Sequence, residues 1–161
     1  MSAVQSELKV ALYTMCLVRD GNRVLLMNRP AEKGFPGWIA PGGKVDFPES
    51  LTEGAAREVL EETGLTVRNL IYKGLDEFVD PKQHFRYMVF NYVAEEFEGE
   101  LLENPPEGEL KWVPINEAAT YPMQDWFKRR LSFFFDEGTF EVYAVYDQET
   151  DTTLKETVKR T

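Results

Sequence analysis

A glycine turn followed by a well-capped acidic helix most strongly constrains how this chain can fold. Residues 41–65 read PGGKVDFPESLTEGAAREVLEETGL. Ser50, with Glu53 three residues later, has the pattern of a capping box, and Gly64 suits the left-handed position that ends a helix. The sequence therefore predicts a turn that leads into a helix over residues 50–62.

Three glutamates of this helix lie on one arc of its surface. At about 100° of rotation per residue, Glu58 and Glu62 are one turn apart with Glu61 beside them. Like charges at this spacing destabilise a helix, and Arg57 is the only basic residue in it. The arc is either a solvated acidic face or a site for a hard divalent cation, Mg²⁺ or Mn²⁺. The preceding glycines allow close backbone approach, and Lys44 can reach a phosphate oxygen, which favours the cation site.

The composition is that of a single folded domain. The 161 residues are 43% hydrophobic and 13% aromatic, without repeats, so we expect one domain over residues 1–161. A net charge of −10 argues against binding to nucleic acid or to an anionic membrane, and no apolar run approaches the roughly 20 residues that span a bilayer. The lone Cys16 is expected in the core, and the start MSAVQSELK has no signal-peptide pattern. Both observations predict a cytoplasmic location.

The remaining pattern predicts many strands and few helices. We expect a hairpin over 9–29, strands over 66–79 and 84–99, a short strand and helix within 110–121, a helix over 123–138, and a closing hairpin over 139–160. Because strands and helices do not alternate regularly, this order indicates an α+β fold with a mixed sheet.

The acidic segment resembles the Nudix box. Gly43 is followed after five residues by Glu49, and after seven more by the run Arg57-Glu58-Val59, then by Glu61-Glu62 and Gly64-Leu65. No defining position departs from the motif. The resemblance implies the Nudix fold, a mixed β-sheet sandwiched between α-helices. It also implies hydrolysis of a nucleoside diphosphate linked to another group, with Mg²⁺, or Mn²⁺ in its place, as cofactor.

The same resemblance implies roles for single residues. Glu58 and Glu62 look like the main metal ligands, and Glu61 looks like a third ligand or the catalytic base. The other implied residues are the Gly42 carbonyl as a backbone ligand, Arg57 and Glu49 as an orienting ion pair, and Glu107 as a ligand from a distant loop. For this last ligand Glu100, Glu103 and Glu109 are alternatives, and surface solvation is another.

Segments outside the box bear on the substrate. WIAPGGK, EGELKWVP, QDWF and FEVYAVYD are similar in order to segments of the MutT-type 8-oxo-dGTP diphosphatases. This implies conversion of a nucleoside triphosphate to a monophosphate and pyrophosphate, with oxidised purines as substrates, in nucleotide-pool sanitisation and DNA repair. The implied substrate-binding residues are Lys44, Phe35, Trp38, Asp125 and Trp126.

Oxidation of guanine at C8 turns N7 from an acceptor into a donor. A carboxylate or amide oxygen at Asp125 or Gln124 would accept from that group, while Trp126 stacks on the base. The alternatives are an acidic first turn of a helix, and core packing for Trp126 and for Trp38. Ile39 stands where animal relatives carry Asn, which leaves base selectivity open.

The sequence leaves other functions and the assembly open. The alternative enzyme is a Nudix hydrolase of ADP-ribose, a nucleotide sugar or capped RNA. The alternative of another class is a nucleotide-binding regulatory module without activity, and the retained box glutamates argue against it. We expect a small nucleotide as the partner, and the protein to be a monomer or homodimer.

Overall fold

The computed structural model describes residues 7–161. Residues 1–6, which carry most of the segment used to predict the absence of a signal peptide, lie outside the described part. The strands are β1 Lys9–Asp20, β2 Arg23–Arg29, β3 Gly37–Ile39, β4 Gly42–Lys44, β5 Thr66–Arg68, β6 Ile71–Asp80, β7 Phe85–Ala94, β8 Glu96–Glu98, β9 Glu109–Pro114, β10 Phe140–Asp147 and β11 Thr152–Arg160. The helices are α1 Leu51–Thr63, α2 Ile115–Ala118 and α3 Asp125–Leu131, with 3₁₀ turns at Ala31–Lys33 and Ser132–Phe134.

The main sheet is mixed, as the sequence predicts. Its strands follow the order β11-β10-β6-β7-β1-β2-β3, while β4 pairs with β1 and β9 pairs with β2. The pairs β1–β7 and β6–β10 are parallel, and the other pairs in this sheet are antiparallel. A small second sheet joins β5 and β8. The parallel pairing of β1 and β7 brings residues about 75 positions apart in sequence side by side.

The two faces of the main sheet bury separate apolar clusters because side chains alternate along each strand. Cys16 and Val18 of β1 belong to the cluster that contains Ala55 and Val59 of α1. Met15 and Leu17 of β1 belong to the cluster on the other face, which contains Phe127 and Leu131 of α3. The sheet therefore lies between helices, which confirms the predicted α+β architecture.

Cys16 is fully buried, and burial raises the pKa of its thiol to about 12. It is a core residue, as predicted. No helix within residues 7–161 is long and apolar enough to cross a bilayer.

The predicted helix over residues 123–138 is shorter in the structure. The α-helical part ends at Leu131, and one 3₁₀ turn follows. Phe133 and Phe134, although adjacent, both contact Phe140 of β10, with ring centroids at 5.3 and 6.2 Å. Helical periodicity could not predict this shared contact, because Phe140 belongs to a different element.

Candidate active site

The start and end of α1 are determined by its sequence. The Glu53 amide donates to Ser50 Oγ at 3.1 Å, and the Ser50 amide donates to Glu53 Oε2 at 3.4 Å. Both hydrogen bonds of the predicted capping box are thus present. Gly64 ends the helix with φ +87°. These two ends determine which helical positions face the glycine turn.

The glycine turn lies against both β1 and α1. Strand β4 pairs antiparallel with β1, so that Gly43 is opposite Thr14. A Cβ on Gly42 would lie 2.1 Å from the Thr14 carbonyl oxygen, and a Cβ on Gly43 would lie 2.5 Å from Glu58 Cδ. The absence of side chains is therefore what allows the turn to approach the strand and the carboxylate.

Glu58 and Glu62 place their carboxyl groups together beside this turn. The Gly42 amide donates to Glu62 Oε2 at 3.2 Å, and Glu62 is only 7% exposed. Burial raises the pKa of Glu62 to about 8; the Gly42 hydrogen bond opposes this, and the charges of Glu58 and Glu107 add to it. Burial also raises the pKa of Glu58, against the effect of Arg57. Two carboxyl groups that resist simultaneous ionisation are suited to a bound cation.

Arg57 joins the helix to the preceding loop. Its Nη2 and Nε donate to the two Glu49 carboxylate oxygens at 2.7 and 3.0 Å, and Nη2 also donates to the Lys44 carbonyl at 3.0 Å. Its Nη1 donates to Glu58 Oε1 at 3.0 Å and to Glu61 Oε2 at 3.1 Å. The hydrogen bond with Glu49 contributes most to raising the pKa of Arg57, so the guanidinium stays charged. The pairing expected of Arg57 and Glu49 is present, and Arg57 also orients Glu58.

Glu61 lies at the edge of this group. Its side chain is 57% exposed and is held by Arg57. In the described chain no three His, Cys, Asp or Glu side chains are already gathered as a metal-binding group. Glu58 and Glu62 therefore form a two-carboxylate centre, and Glu61 must turn away from Arg57 to join it. The donors are anionic oxygens, which fit a hard divalent cation.

Glu107 approaches the same centre from the loop before β9. Gly108 has φ +145°, and a Cβ there would lie 2.0 Å from the Asn28 carbonyl oxygen, so the loop can pack on β2 only with glycine at this position. The charge of Glu107 helps to raise the pKa of Glu62. Its Oε1 is 4.0 Å from Lys33 Nζ. The structure thus places Glu107 within electrostatic reach of Glu62.

A cluster of partly buried aromatic rings lies beside the glycine turn. The rings of Tyr13 and Tyr87 stack at 4.4 Å, and Phe78 lies edge-on to Tyr87 at 6.0 Å and to Trp126 at 5.6 Å. We call Tyr13, Phe78, Tyr87 and Trp126 the aromatic cluster. Tyr13 pairs with Lys44 in the β1–β4 register, one residue beyond Gly43. The backbone of β1 and β4 therefore connects the cluster to the glycine turn, while its rings pack on the α3 face of the sheet.

Arg29 is a candidate residue that the sequence did not single out. Its Nε is buried and has no hydrogen-bond partner within residues 7–161, while Nη2 donates to the Lys33 carbonyl at 2.9 Å. Burial raises the pKa of Tyr87, and the charge of Arg29 opposes this, so Arg29 lies beside the aromatic cluster. A basic residue at the end of a strand is too common a pattern to have identified it.

The other predicted substrate residues differ in their placement. Trp38 is 9% exposed and packs edge-on to Tyr121 at 5.3 Å within the core, which is the alternative considered for it. Phe35 is 66% exposed. Lys44 and Asp125 are exposed as well, and Asp125 is the first residue of α3. Trp126 is the predicted aromatic that joins the aromatic cluster.

The ion pair of Glu49 and Arg57 predicts a measurable pH dependence of stability. Hydrogen bonds from Arg57 and from the Asp46 amide lower the pKa of Glu49 from 4.5 to about 2. Because the pKa is depressed in the folded state, ionised Glu49 stabilises the fold above about pH 4.5, and this contribution disappears as the pH falls toward 2. We expect Glu49→Gln to lower the melting temperature at pH 7, and the gap from wild type to narrow on acidification. Circular dichroism melts of both proteins from pH 7 to pH 3 measure this, and a gap of constant size would contradict it.

The chain is similar to known proteins in both sequence and fold. Residues 9–134 match the family model described as NUDIX domain. An uncharacterized Nudix hydrolase of Bacillus subtilis is 34% identical over 113 residues, covering 68% of this chain and 70% of its own. An oxidized purine nucleoside triphosphate hydrolase of Danio rerio is 33% identical over 139 residues, covering 79% of this chain and 87% of its own. The crystal structure of a MutT protein from Bacillus halodurans superposes with a TM-score of 0.80 at 32% identity, covering 92% of this chain and 97% of that one.

Proposed function

The chain belongs to the Nudix family of hydrolases, and from this premise we propose that it hydrolyses a nucleoside triphosphate to a nucleoside monophosphate and pyrophosphate, with oxidised purine nucleotides such as 8-oxo-dGTP as its substrates. As a member of this family the protein is a pyrophosphohydrolase, and Nudix hydrolases generally use divalent metal ions. The proposal adds the substrate, the metal, Mg²⁺ or Mn²⁺, and the residues that act.

The carboxyl pair beside the glycine turn is the observation that carries this proposal. Glu62 is buried and Glu58 half-buried beside Gly42 and Gly43, and this burial raises the pKa of both carboxyl groups. We assign them as the ligands of the metal, with the Gly42 carbonyl and Glu107 completing the set. A bound divalent ion would neutralise these carboxylates and stabilise charge that develops on the transferring phosphoryl group.

The protein side chains then have separate tasks. Glu61, once released by Arg57, accepts the proton of the water that attacks phosphorus, while the bond from that phosphorus to the bridging oxygen breaks. Arg57 and Glu49 keep α1 in place against the loop. Lys44 and Arg29 supply positive charge to the polyanionic substrate in a protein whose net charge is −10.

The aromatic cluster is the proposed site for the base. Trp126 and Phe78 are partly buried and lie edge-on to each other at 5.6 Å. Stacking on such rings contributes about 1–3 kcal/mol per base, and discrimination between an oxidised purine and its undamaged parent requires a polar group as well. Asp125, at the start of α3, is our candidate acceptor for the N7–H of an 8-oxopurine, with Gln124 next to it. Exposed Phe35 is assigned to the rim of this site and Trp38 to the core beneath it.

We place the protein in the cytoplasm, as a monomer or homodimer that clears damaged nucleotides from the precursor pool and so serves DNA repair. A reducing compartment suits its single buried thiol.

A substrate panel tests the assignment. We expect kcat/KM for 8-oxo-dGTP with Mg²⁺ to exceed that for ADP-ribose, nucleotide sugars and capped RNA by at least about tenfold, because only 8-oxo-dGTP among them offers the N7–H assigned to Asp125, and the acidic surface further disfavours the long polyanion of capped RNA. Release of pyrophosphate and monophosphate, separated by ion-exchange chromatography, identifies the bond that is cleaved. Undamaged dGTP serves as the matched control for base selectivity. A tenfold preference for ADP-ribose over 8-oxo-dGTP would contradict the proposal.

A further inference from the structure

A buried ion network joins α3 to two strands of the main sheet. Arg130 of α3 is 1% exposed, and its guanidinium pairs with the buried carboxylate of Asp76 on β6. Its Nη2 also donates to Glu156 Oε1 on β11 at 2.6 Å. The second Asp76 oxygen accepts from Asn91 Nδ2 at 3.0 Å. One arginine thus connects α3 to β6 and to the last strand of the chain.

The C-terminal hairpin, β10 and β11, lies beyond the residues that match the family model. That match ends at residue 134, whereas the hairpin runs from Phe140 to Arg160. The hairpin docks through parallel pairing of β10 with β6, in which Val142 is opposite Asp76. Glu156 reaches back to α3 from β11 and contacts both Arg129, at 3.3 Å, and Arg130. A segment outside the matched family residues therefore supplies one partner of the buried arginine.

The ion network and one contact of the aromatic cluster join the same two elements, β6 and α3. Asp76 and Phe78 are two residues apart on β6 and share a face of the sheet, while Trp126 and Arg130 are one turn apart on α3. The pairs Asp76–Arg130 and Phe78–Trp126 therefore lie side by side between the same strand and the same helix. A buried ion pair is directional, and it is stable only when its geometry is well satisfied. Moving Arg130 would move Trp126 with it.

We propose that Glu156 and Arg130 are positioning residues through which the C-terminal hairpin sets the place of Trp126 and so the enzyme's selectivity for the base. This inference rests on the proposed function, because it assigns the aromatic cluster to the base. Glu156 acts from outside the acidic centre, so its effect falls on base binding and leaves the chemical step intact.

The test compares Glu156→Gln with a matched control on the same strand. Lys155→Gln also removes one charge, but alternation along β11 directs Lys155 to the opposite face of the sheet from α3. We expect Glu156→Gln to raise KM for the preferred purine triphosphate about five- to tenfold and to change kcat less than about twofold. We expect the purine-to-pyrimidine ratio of kcat/KM to fall by a similar factor, and Glu156→Asp to recover part of it. Lys155→Gln should leave the ratio unchanged.

A second variant separates positioning from folding. The double replacement Asp76→Leu with Arg130→Met exchanges the buried ion pair for apolar side chains of similar size, an exchange that is often tolerated by the fold. We expect this variant to melt cooperatively and to lose base selectivity at least as strongly as Glu156→Gln. Unchanged selectivity in both variants, or equal loss of kcat for every nucleotide, would overturn the inference. A wild type that hydrolyses triphosphates without regard to the base would overturn it as well, while a wild type that hydrolyses none contradicts the proposed function itself.

Discussion

Replacement of Glu62 by Gln is expected to reduce kcat/KM by roughly 100- to 1,000-fold, the factor that corresponds to several kcal/mol of lost stabilisation by the metal. Gln has the size of Glu and retains an oxygen that can accept from the Gly42 amide, which donates to Glu62 at 3.2 Å. The fold should therefore survive while the ligand charge is lost. Initial rates of pyrophosphate release, measured over a range of Mg²⁺ concentrations, determine the effect.

Two controls test whether the effect is specific to Glu62 and to the metal. Glu117→Gln removes an exposed carboxylate from α2 and should leave kcat/KM within about twofold of wild type. A chelator should abolish wild-type activity, and Mg²⁺ or Mn²⁺ should restore it. A Glu62→Gln variant with unchanged turnover at every Mg²⁺ concentration would rule out Glu62 as a ligand.

A single methyl group on Gly43 is expected to lower kcat/KM by about 10- to 100-fold. A Cβ at this position would lie 2.5 Å from Glu58 Cδ, so the carboxylate must move. A displacement of about 1 Å at a reacting centre can cost about 100-fold in rate. Because the clash falls on the flexible end of a side chain, the melting temperature should change by only a few degrees.

Gly42→Ala provides the contrasting variant. Here the Cβ would lie 2.1 Å from the backbone oxygen of Thr14, so β4 and β1 themselves must separate. We expect a loss of about 1–3 kcal/mol in the free energy of unfolding, the usual cost of overpacking. Thermal melts and kinetics of the two variants distinguish them. A Gly43→Ala variant with full activity would show that Glu58 need not lie beside the turn.

The local features of the acidic helix could be predicted from the sequence because they depend on residues close together in the chain. Ser50 and Glu53 form the predicted capping box, and Gly64 ends the helix in the left-handed region. A helix with defined ends has a defined face, so the sequence alone places Glu58 and Glu62 together. The spacing of Glu49 and Arg57 likewise predicted the ion pair that the structure contains.

Contacts between distant segments could not be predicted from the sequence in the same way. The helix predicted over residues 123–138 ends early because Phe133 and Phe134 meet Phe140 of another element. Tyr13 and Tyr87 stack only because β1 and β7 pair in parallel, with Ala11 opposite Tyr87. Alternation in each strand defines its faces, but it does not specify which strands become neighbours.

The sequence by itself thus determined the segment that carries the proposed reaction centre: a capped helix, its three glutamates and the glycines before it lie within 25 consecutive residues, where backbone geometry and charge repulsion operate at short range. Only the tertiary structure decided what surrounds that centre. The aromatic cluster, Arg29, and the network of Arg130 with Asp76 and Glu156 each join elements far apart in the chain. Their partners are chosen by the packing of the whole sheet, which no local pattern encodes.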